Sequence, residues 1–308
     1  MTAIVFPGMG PSDFASVGRF MVLDPYVRRR LAEADEALGY DLLEAFYGSN
    51  DAYSEYTQVA FLVNSLALAD RAVEEHGLRP EVCAAPSFGQ RAASVFTGSL
   101  GFADGVRMTA ELARCETEFF REHFSDVVTH TVVRIHRSTV DSLLDGLVGR
   151  GEFAEYSGFL DDDFFMVSMR EPMLAEFTES VRAAGGYSLA TIRPPVHARS
   201  FTGLRERAAR EVLDRYPIET PRLPVIADAT GAVVDSAEAM RAMLLDTFDR
   251  PIDWPSVVAT LRRLEVERIV FTGPDALFRR LDRTKRNFTV TGFDPKGVVG
   301  RLTAPVAG

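Results

Sequence analysis

The residues best placed to do chemistry lie in Ala85-Pro86-Ser87-Phe88-Gly89-Gln90. A short apolar run over 81–85 precedes them, and a small-residue helical stretch, 91–97, follows. A serine in a tight strand-to-helix turn, with glycine two residues later, is the arrangement of a nucleophile elbow. Such a turn pushes Oγ out of the sheet. The helix start behind it aims backbone N–H groups, including that of Phe88, at an incoming oxyanion. Taken alone the pattern is weak: Ala85 stands where G-x-S-x-G has its first glycine, and S-x-G occurs in many ordinary turns.

A nucleophilic serine needs a base. The chain has five histidines: His76, His123, His130, His136 and His197. His76 sits near a helix C-terminus, where a cation suits the dipole, and His123 ends a charged helix. His130 and His136 lie in a region of different pattern. These four read as structural or surface residues. His197 differs from them in following Pro194-Pro195, which stiffen its backbone. No metal site is expected, because two cysteines and scattered histidines give no ligand spacing. Gly8-Met9-Gly10 is not a phosphate loop, since the lysine and spacing are missing.

The elements that must hold these residues follow from hydrophobic period and breakers. Ala3 to Phe6 is a short buried strand stopped by Pro7-Gly8-Met9-Gly10. Residues 26–48 and 55–76 read as helices, the second too apolar for a surface helix. A strand over 81–85, the serine turn and helices to His123 complete a first α/β stretch. From 124 the pattern changes to strand, helix, strand, helix, strand over about 70 residues (127–135, 138–147, 161–169, 171–185, 187–192), which suggests a ferredoxin-like α+β unit. After it come a helix at 204–216, a strand at 223–228, helices at 236–248 and 254–264, and a last strand at 267–271. The fold class is therefore α/β: a large α/β-hydrolase-like domain, 1–123 and 195–308, with a small ferredoxin-like subdomain, 124–194, inserted in it.

With 308 residues, 34 Lys+Arg against 44 Asp+Glu and a formal charge of −10, the chain is a poor candidate for nucleic-acid binding. It has 46% hydrophobic and 25% charged residues, ordinary for a globular protein. Two cysteines cannot build a disulfide framework. No segment reaches the roughly 18 apolar residues of a membrane span, and the N-terminus shows no signal-peptide pattern. A cytoplasmic protein is expected.

In its order of landmarks the chain resembles the malonyl-CoA:acyl carrier protein transacylase family, the acyltransferases of fatty-acid and polyketide synthesis. Ile4-Val5-Phe6-Pro7-Gly8-Met9-Gly10 looks like the family's FPGQG opening, and Tyr56-Thr57-Gln58 like its TQPAL segment. Pro86 to Met108 matches the GHSLGE block and the following stretch without a gap, through Gly98, Phe102, Ala103, Asp104, Val106 and Arg107. Pro195-Val196-His197 falls where the family has its histidine. Pro251-Ile252-Asp253-Trp254 and Phe271-Thr272-Gly273-Pro274 resemble its two closing motifs. The resemblance implies ping-pong acyl transfer through an acyl-Ser87 with His197 as base. It also implies a histidine held by a backbone carbonyl near Arg250, and an oxyanion hole from the N–H groups of Met9 and Phe88. Substrates would be acyl-CoA or acyl-phosphopantetheine, with no bound cofactor. The partner would be an acyl carrier protein, and the chain a monomer.

Three positions depart from that family. The histidine before the nucleophile is Pro86, and the glutamine of FPGQG is Met9. The third concerns the arginine on the helix after the elbow, which pairs with a malonyl carboxylate in family members that take malonyl or methylmalonyl groups. A gapless count places that position at Leu112, which cannot bind a carboxylate. Arg114 lies two residues on, towards another side of the helix. Val167 to Leu174, including Met169, occupies the stretch where the family has substrate-lining Asn and Gln. An apolar, aminoacyl or peptidyl group is therefore expected in place of malonyl, as in discrete acyltransferases of polyketide and macrolactam assembly. The alternatives are an ordinary malonyl transacylase, a hydrolase editing acyl carrier proteins with the same Ser87 and His197, or a scaffold without activity. For docking an acidic carrier protein, Arg279, Arg280, Arg283, Lys285 and Arg286 form the expected basic face, with Arg262, Arg263 and Arg268 a weaker candidate.

Overall fold

The computed structural model describes residues 1–10, 12–274 and 276–302. The chain opens with β1 (Thr2–Val5), followed by helices α1 (Phe14–Leu23), α2 (Pro25–Leu38), α3 (Leu42–Tyr47) and α4 (Glu55–Glu74). Next come β2 (Val82–Ala84), α5 (Gly89–Phe96) and α6 (Phe102–His123). A middle stretch carries β3 (Val127–Val133), α7 (Arg137–Gly149), β4 (Ala154–Asp161), β5 (Phe164–Arg170), α8 (Leu174–Ala183) and β6 (Tyr187–Ile192). The last stretch holds α9 (Thr202–Glu211), β7 (Val225–Ile226), β8 (Val233–Val234), α10 (Ala237–Asp249), β9 (Ile252–Asp253) and α11 (Trp254–Arg263). It closes with β10 (Arg268–Thr272), α12 (Leu277–Arg280), α13 (Asp282–Asn287), β11 (Thr289–Phe293) and α14 (Pro295–Leu302).

Two sheets result. The larger has the order β11-β10-β1-β2-β7-β8, parallel except for the β7–β8 hairpin. Strands β1, β2, β7 and β10 are short and buried along nearly their whole length, as expected of a parallel sheet covered on both sides, whereas the edge strand β11 is partly exposed. The helix α4 lies inside and is buried over most of its surface from Thr57 to Ala72. The smaller sheet has the order β6-β3-β5-β4-β9. It is antiparallel except where β9, arriving from the last stretch of the chain, pairs with β4 in parallel. Helices α7 and α8 cover one face of it, around a core that includes Val132, Phe165, Val167, Met169 and Phe177.

Some expectations give way to local chemistry. The helix read over 26–48 is two helices, because Gly39 turns the chain at φ 78° and Asp41 then caps the N-terminus of α3 through the N–H of Glu44. The small unit has a strand more than the alternation suggests, since β4 and β5 form a hairpin. A parallel strand, β11, follows β10. Asp24 joins two elements. It caps α2 through the N–H groups of Tyr26 and Val27, and it is fully buried against Arg71 of α4 at 2.6 Å.

Candidate active site

Ser87 sits between β2 and α5 with a positive φ of 53°. That conformation is costly for a non-glycine residue and is held by its surroundings. Two contacts fix the turn. A Cβ on Gly89 would lie 2.1 Å from the carbonyl oxygen of Phe6, so only glycine lets α5 start this close to the end of β1. Behind the turn, the Ser87 N–H donates to Asp228 Oδ2 at 2.6 Å, and Gln90 Nε2 donates to Asp228 Oδ1 at 2.6 Å. Asp228, two residues past β7, is buried. Burial pushes its carboxyl up to about 6, and the hydrogen bonds from Ser87 and Gln90 pull the other way.

His197 is brought to the serine by the segment after β6. Its Nε2 lies 2.7 Å from Ser87 Oγ, and it too has a positive φ, 59°. Burial lowers the imidazole to about 4, partly opposed by the backbone carbonyls of Thr247 and Arg250. Neither carbonyl closes a full hydrogen bond on Nδ1. The ring is therefore neutral at physiological pH and able to accept the serine proton. The residue before it is fastened to the small sheet. The Val196 N–H donates to Thr129 Oγ1 at 3.0 Å, and Thr129 Oγ1 lies 2.7 Å from Ser168 Oγ, itself 2.6 Å from Ser157 Oγ. All three hydroxyl residues are fully buried.

Ser87 and His197 open on a cavity of about 330 Å³ between the two sheets. Met9 and Phe88 line it, and among the described residues no hydrogen bond is made by either backbone N–H. The far wall is apolar, with Phe120, Met166, Ile192, Leu244 and Phe248. Leu112 lines the cavity from α6 and is 1% exposed.

Other expected residues lie elsewhere. Met169 is outside the cavity. It points into the core between the small sheet and its helices, and Met166, one residue out of phase on β5, takes the cavity side. Arg114 is half exposed on the outside of α6 and pairs with Glu55 at 2.5 Å. Two positions on from Leu112 is about 200° round a helix, so the two side chains cannot share a face. In the basic stretch, Arg279 pairs with Asp294, Lys285 and Arg286 with Asp282, and Arg283 with Asp161 and Asp162 in the β4–β5 turn. Much of its charge is met within the chain. Arg280 and Arg286 are exposed.

The residues that sequence reasoning overlooked are polar. Arg91, one turn after Ser87, lines the cavity with its guanidinium over the Phe88 ring, 4.9 Å from the centroid. It donates to Gln58 Oε1 at 2.7 Å and forms an ion pair with Glu116, which lies one turn after Leu112 on α6. Helical spacing from Ser87 and Leu112 would have pointed to both. Asp228 carried no local signal. Among the described residues there is no cluster of three or more metal-ligating side chains, and no helix is long and apolar enough to cross a membrane.

Residues 131–192 match the family model for the VinK acyltransferase small domain. In sequence the chain is similar to the malonyl CoA-acyl carrier protein transacylase of Salmonella typhimurium, with 26% identity over 295 residues and 92% of each chain covered. It is also similar to that of Bacillus subtilis, with 22% identity, 96% of this chain and 94% of the relative covered. Among solved structures it matches FabD from Acinetobacter baumannii at a TM-score of 0.84 and 22% identity, with 99% of each chain covered. A malonyl-transacylase solved in complex with its type II PKS acyl-carrier protein matches at a TM-score of 0.85 and 21% identity, again with 99% of each chain covered. The chain has the fold of the malonyl-CoA:acyl carrier protein transacylases, a large α/β domain with a small ferredoxin-like one, and is similar to those enzymes along more than nine-tenths of its length.

Proposed function

We propose that this chain is a serine acyltransferase that moves an acyl group from a thioester donor to the phosphopantetheine thiol of an acyl carrier protein. The observation that carries the reading is the 2.7 Å contact between Ser87 Oγ and a buried, neutral His197 Nε2 at the floor of the cavity. Ser87 Oγ attacks the thioester carbonyl while its proton passes to His197 Nε2. The oxyanion accepts hydrogen bonds from the N–H groups of Met9 and Phe88. The C–S bond breaks, and the leaving thiolate takes the proton back from His197. In the second half the carrier protein's thiol gives its proton to His197 and attacks the acyl-Ser87 ester; the C–O bond breaks, and Ser87 Oγ leaves with the proton returned from His197. The carbonyls of Thr247 and Arg250 orient the imidazole and favour its charged form. The carrier protein docks against the face that includes Arg280 and Arg286.

The acyl group is not malonyl in this reading, but uncharged, aminoacyl or peptidyl. Leu112, buried in the wall where the arginine is expected, supports this, because burying a carboxylate against leucine is costly. The malonyl reading is favoured by the relatives named above, which are malonyl transacylases. Incubation with malonyl, acetyl, longer acyl and aminoacyl thioesters, followed by intact-mass measurement with Ser87→Ala as control, separates the two. A serine adduct from neutral or aminoacyl donors and not from malonyl is expected. A malonyl adduct in their place would make this a malonyl transacylase, and loss of the adduct to water without transfer would make it a hydrolase.

A further inference from the structure

Among the described residues lining the cavity, Arg91 and Glu116 are the only ones carrying a full charge, and they are paired with each other. Arg91 is 7% and Glu116 15% exposed in their side chains, so water screens the pair poorly. The guanidinium is used up. One arm meets Gln58 Oε1, the other Glu116 Oε1, and the Phe88 ring covers its face. Glu116 is less occupied, since Oε2 has a single 3.4 Å contact from Gln58 Nε2. Its helix, α6, is the one that carries Leu112 in place of a cation, and Glu116 faces the same cavity one turn further on. The wall that would receive the end of a short acyl chain therefore presents a carboxylate.

We propose that Glu116 sets the charge selectivity of the acyl pocket: by occupying Arg91 it turns away acyl groups that end in a carboxylate and favours those that end in an amine. A malonyl carboxylate entering the cavity meets like charge with no cation left to pair it, which is strongly disfavoured in a poorly solvated site. An ammonium of similar size finds Glu116 Oε2 open to a further donor. This rests on the acyl-Ser87 reading and names the substrate class within it: short acyl groups with a terminal amine, taken in preference to neutral ones and well ahead of dicarboxylic ones.

The test uses three thioesters of matched length that differ in terminal charge, namely malonyl, butyryl and 3-aminopropionyl. Formation of acyl-Ser87 is timed by intact mass in the wild type, in Glu116→Gln and in the double variant Arg91→Gln/Glu116→Gln. Labelling of Ser87 by a fluorophosphonate confirms that each variant is folded. In the wild type the order 3-aminopropionyl, butyryl, malonyl is expected. In Glu116→Gln the ratio of malonyl to 3-aminopropionyl rates rises by about tenfold or more, because Arg91 is freed. In the double variant the malonyl rate falls again while the amine preference stays lost. An unchanged ratio in Glu116→Gln, with wild type still preferring neutral or amine donors, overturns the role of Glu116 and leaves the non-malonyl reading standing. Wild-type preference for malonyl overturns both, and absence of an adduct from every donor overturns the acyltransferase reading itself.

Discussion

The backbone N–H of Val196 donates to the side chain of Thr129 at 3.0 Å, so the residue next to His197 hangs from β3, an interior strand of the small sheet. His197 therefore takes its position from a hydroxyl on an element that contributes nothing else to the dyad. Thr129→Val keeps the shape and leaves a buried N–H without an acceptor, at a cost of about 1–3 kcal/mol. Acyl-Ser87 formation should fall by about tenfold in kcat, with little change in KM, and Thr129→Ser should restore most of it. Equal losses in Thr129→Ser and Thr129→Val would assign Thr129 to packing alone.

Asp228 is the only acceptor that the Ser87 N–H meets among the described residues. Asp228→Ala would strand that N–H and the Gln90 amide, each at about 1–3 kcal/mol. The melting temperature should fall by several degrees and fluorophosphonate labelling of Ser87 should slow. Asp228→Asn keeps one acceptor and should lie between wild type and Asp228→Ala on both measures. A melting curve for Asp228→Ala that overlays the wild type would show that the elbow is held by Gly89 and the sheet ends alone.

The pH dependence follows from two buried groups of opposite sign. Native His197 resists protonation down to about 4, while the unfolded ring takes a proton near 6.5, so its share of stability declines as pH drops from 6.5 to 4. Native Asp228 binds a proton near 6 and the unfolded carboxyl only near 3.8, so its share grows as pH drops through that range. Melting temperature against pH should fall more gently in His197→Gln and more steeply in Asp228→Asn than in the wild type. The kcat/KM of acylation should hold through pH 6.5 and collapse only nearer 4. An acid limb centred at 6.5 would mean that the imidazole is wet in solution.

Gly89→Ala would drive a methyl into the Phe6 carbonyl. The neighbour is backbone at the end of a central strand, so it cannot swing aside. The variant should lose serine labelling altogether and a large fraction of the folding free energy, read by denaturant titration. Wild-type labelling in Gly89→Ala would refute the tight approach of α5 to β1.

Charge reversal at Arg280 and Arg286 should raise KM for a carrier protein several-fold and leave reaction with small thioesters as it was. Both are exposed, whereas Arg279 and Arg283 are tied to Asp294 and to the β4–β5 turn and would confound the experiment by loosening the fold. Equal losses with both substrate types would remove this face from docking.

The elbow was legible in the sequence because its determinants are local: a small residue, a serine and a glycine at fixed offsets between an apolar run and a helix. The histidine needed the proline pair before it and the order of motifs around it, since its 2.7 Å contact spans 110 residues. The pocket was read less well, for geometric reasons. Arg114 was one helical half-turn from the cavity and Met169 on the wrong phase of a strand, while Glu116 and Met166 stood at the correct periods nearby. Strand β4 hides because its alternation is broken at Gly158, where the ladder to β5 slips. The partner of Asp228 lies 141 residues away and leaves no trace in any short window.

The join between the two sheets places the halves of the dyad on different bodies. Ser87 rides on the large sheet. The histidine segment is tethered to β3, and Arg250, whose carbonyl faces the imidazole, immediately precedes the segment that pairs β9 with β4 of the small sheet. The reach between the Ser87 hydroxyl and the imidazole is therefore set by how the two sheets sit against each other, although the two residues share no element of the fold.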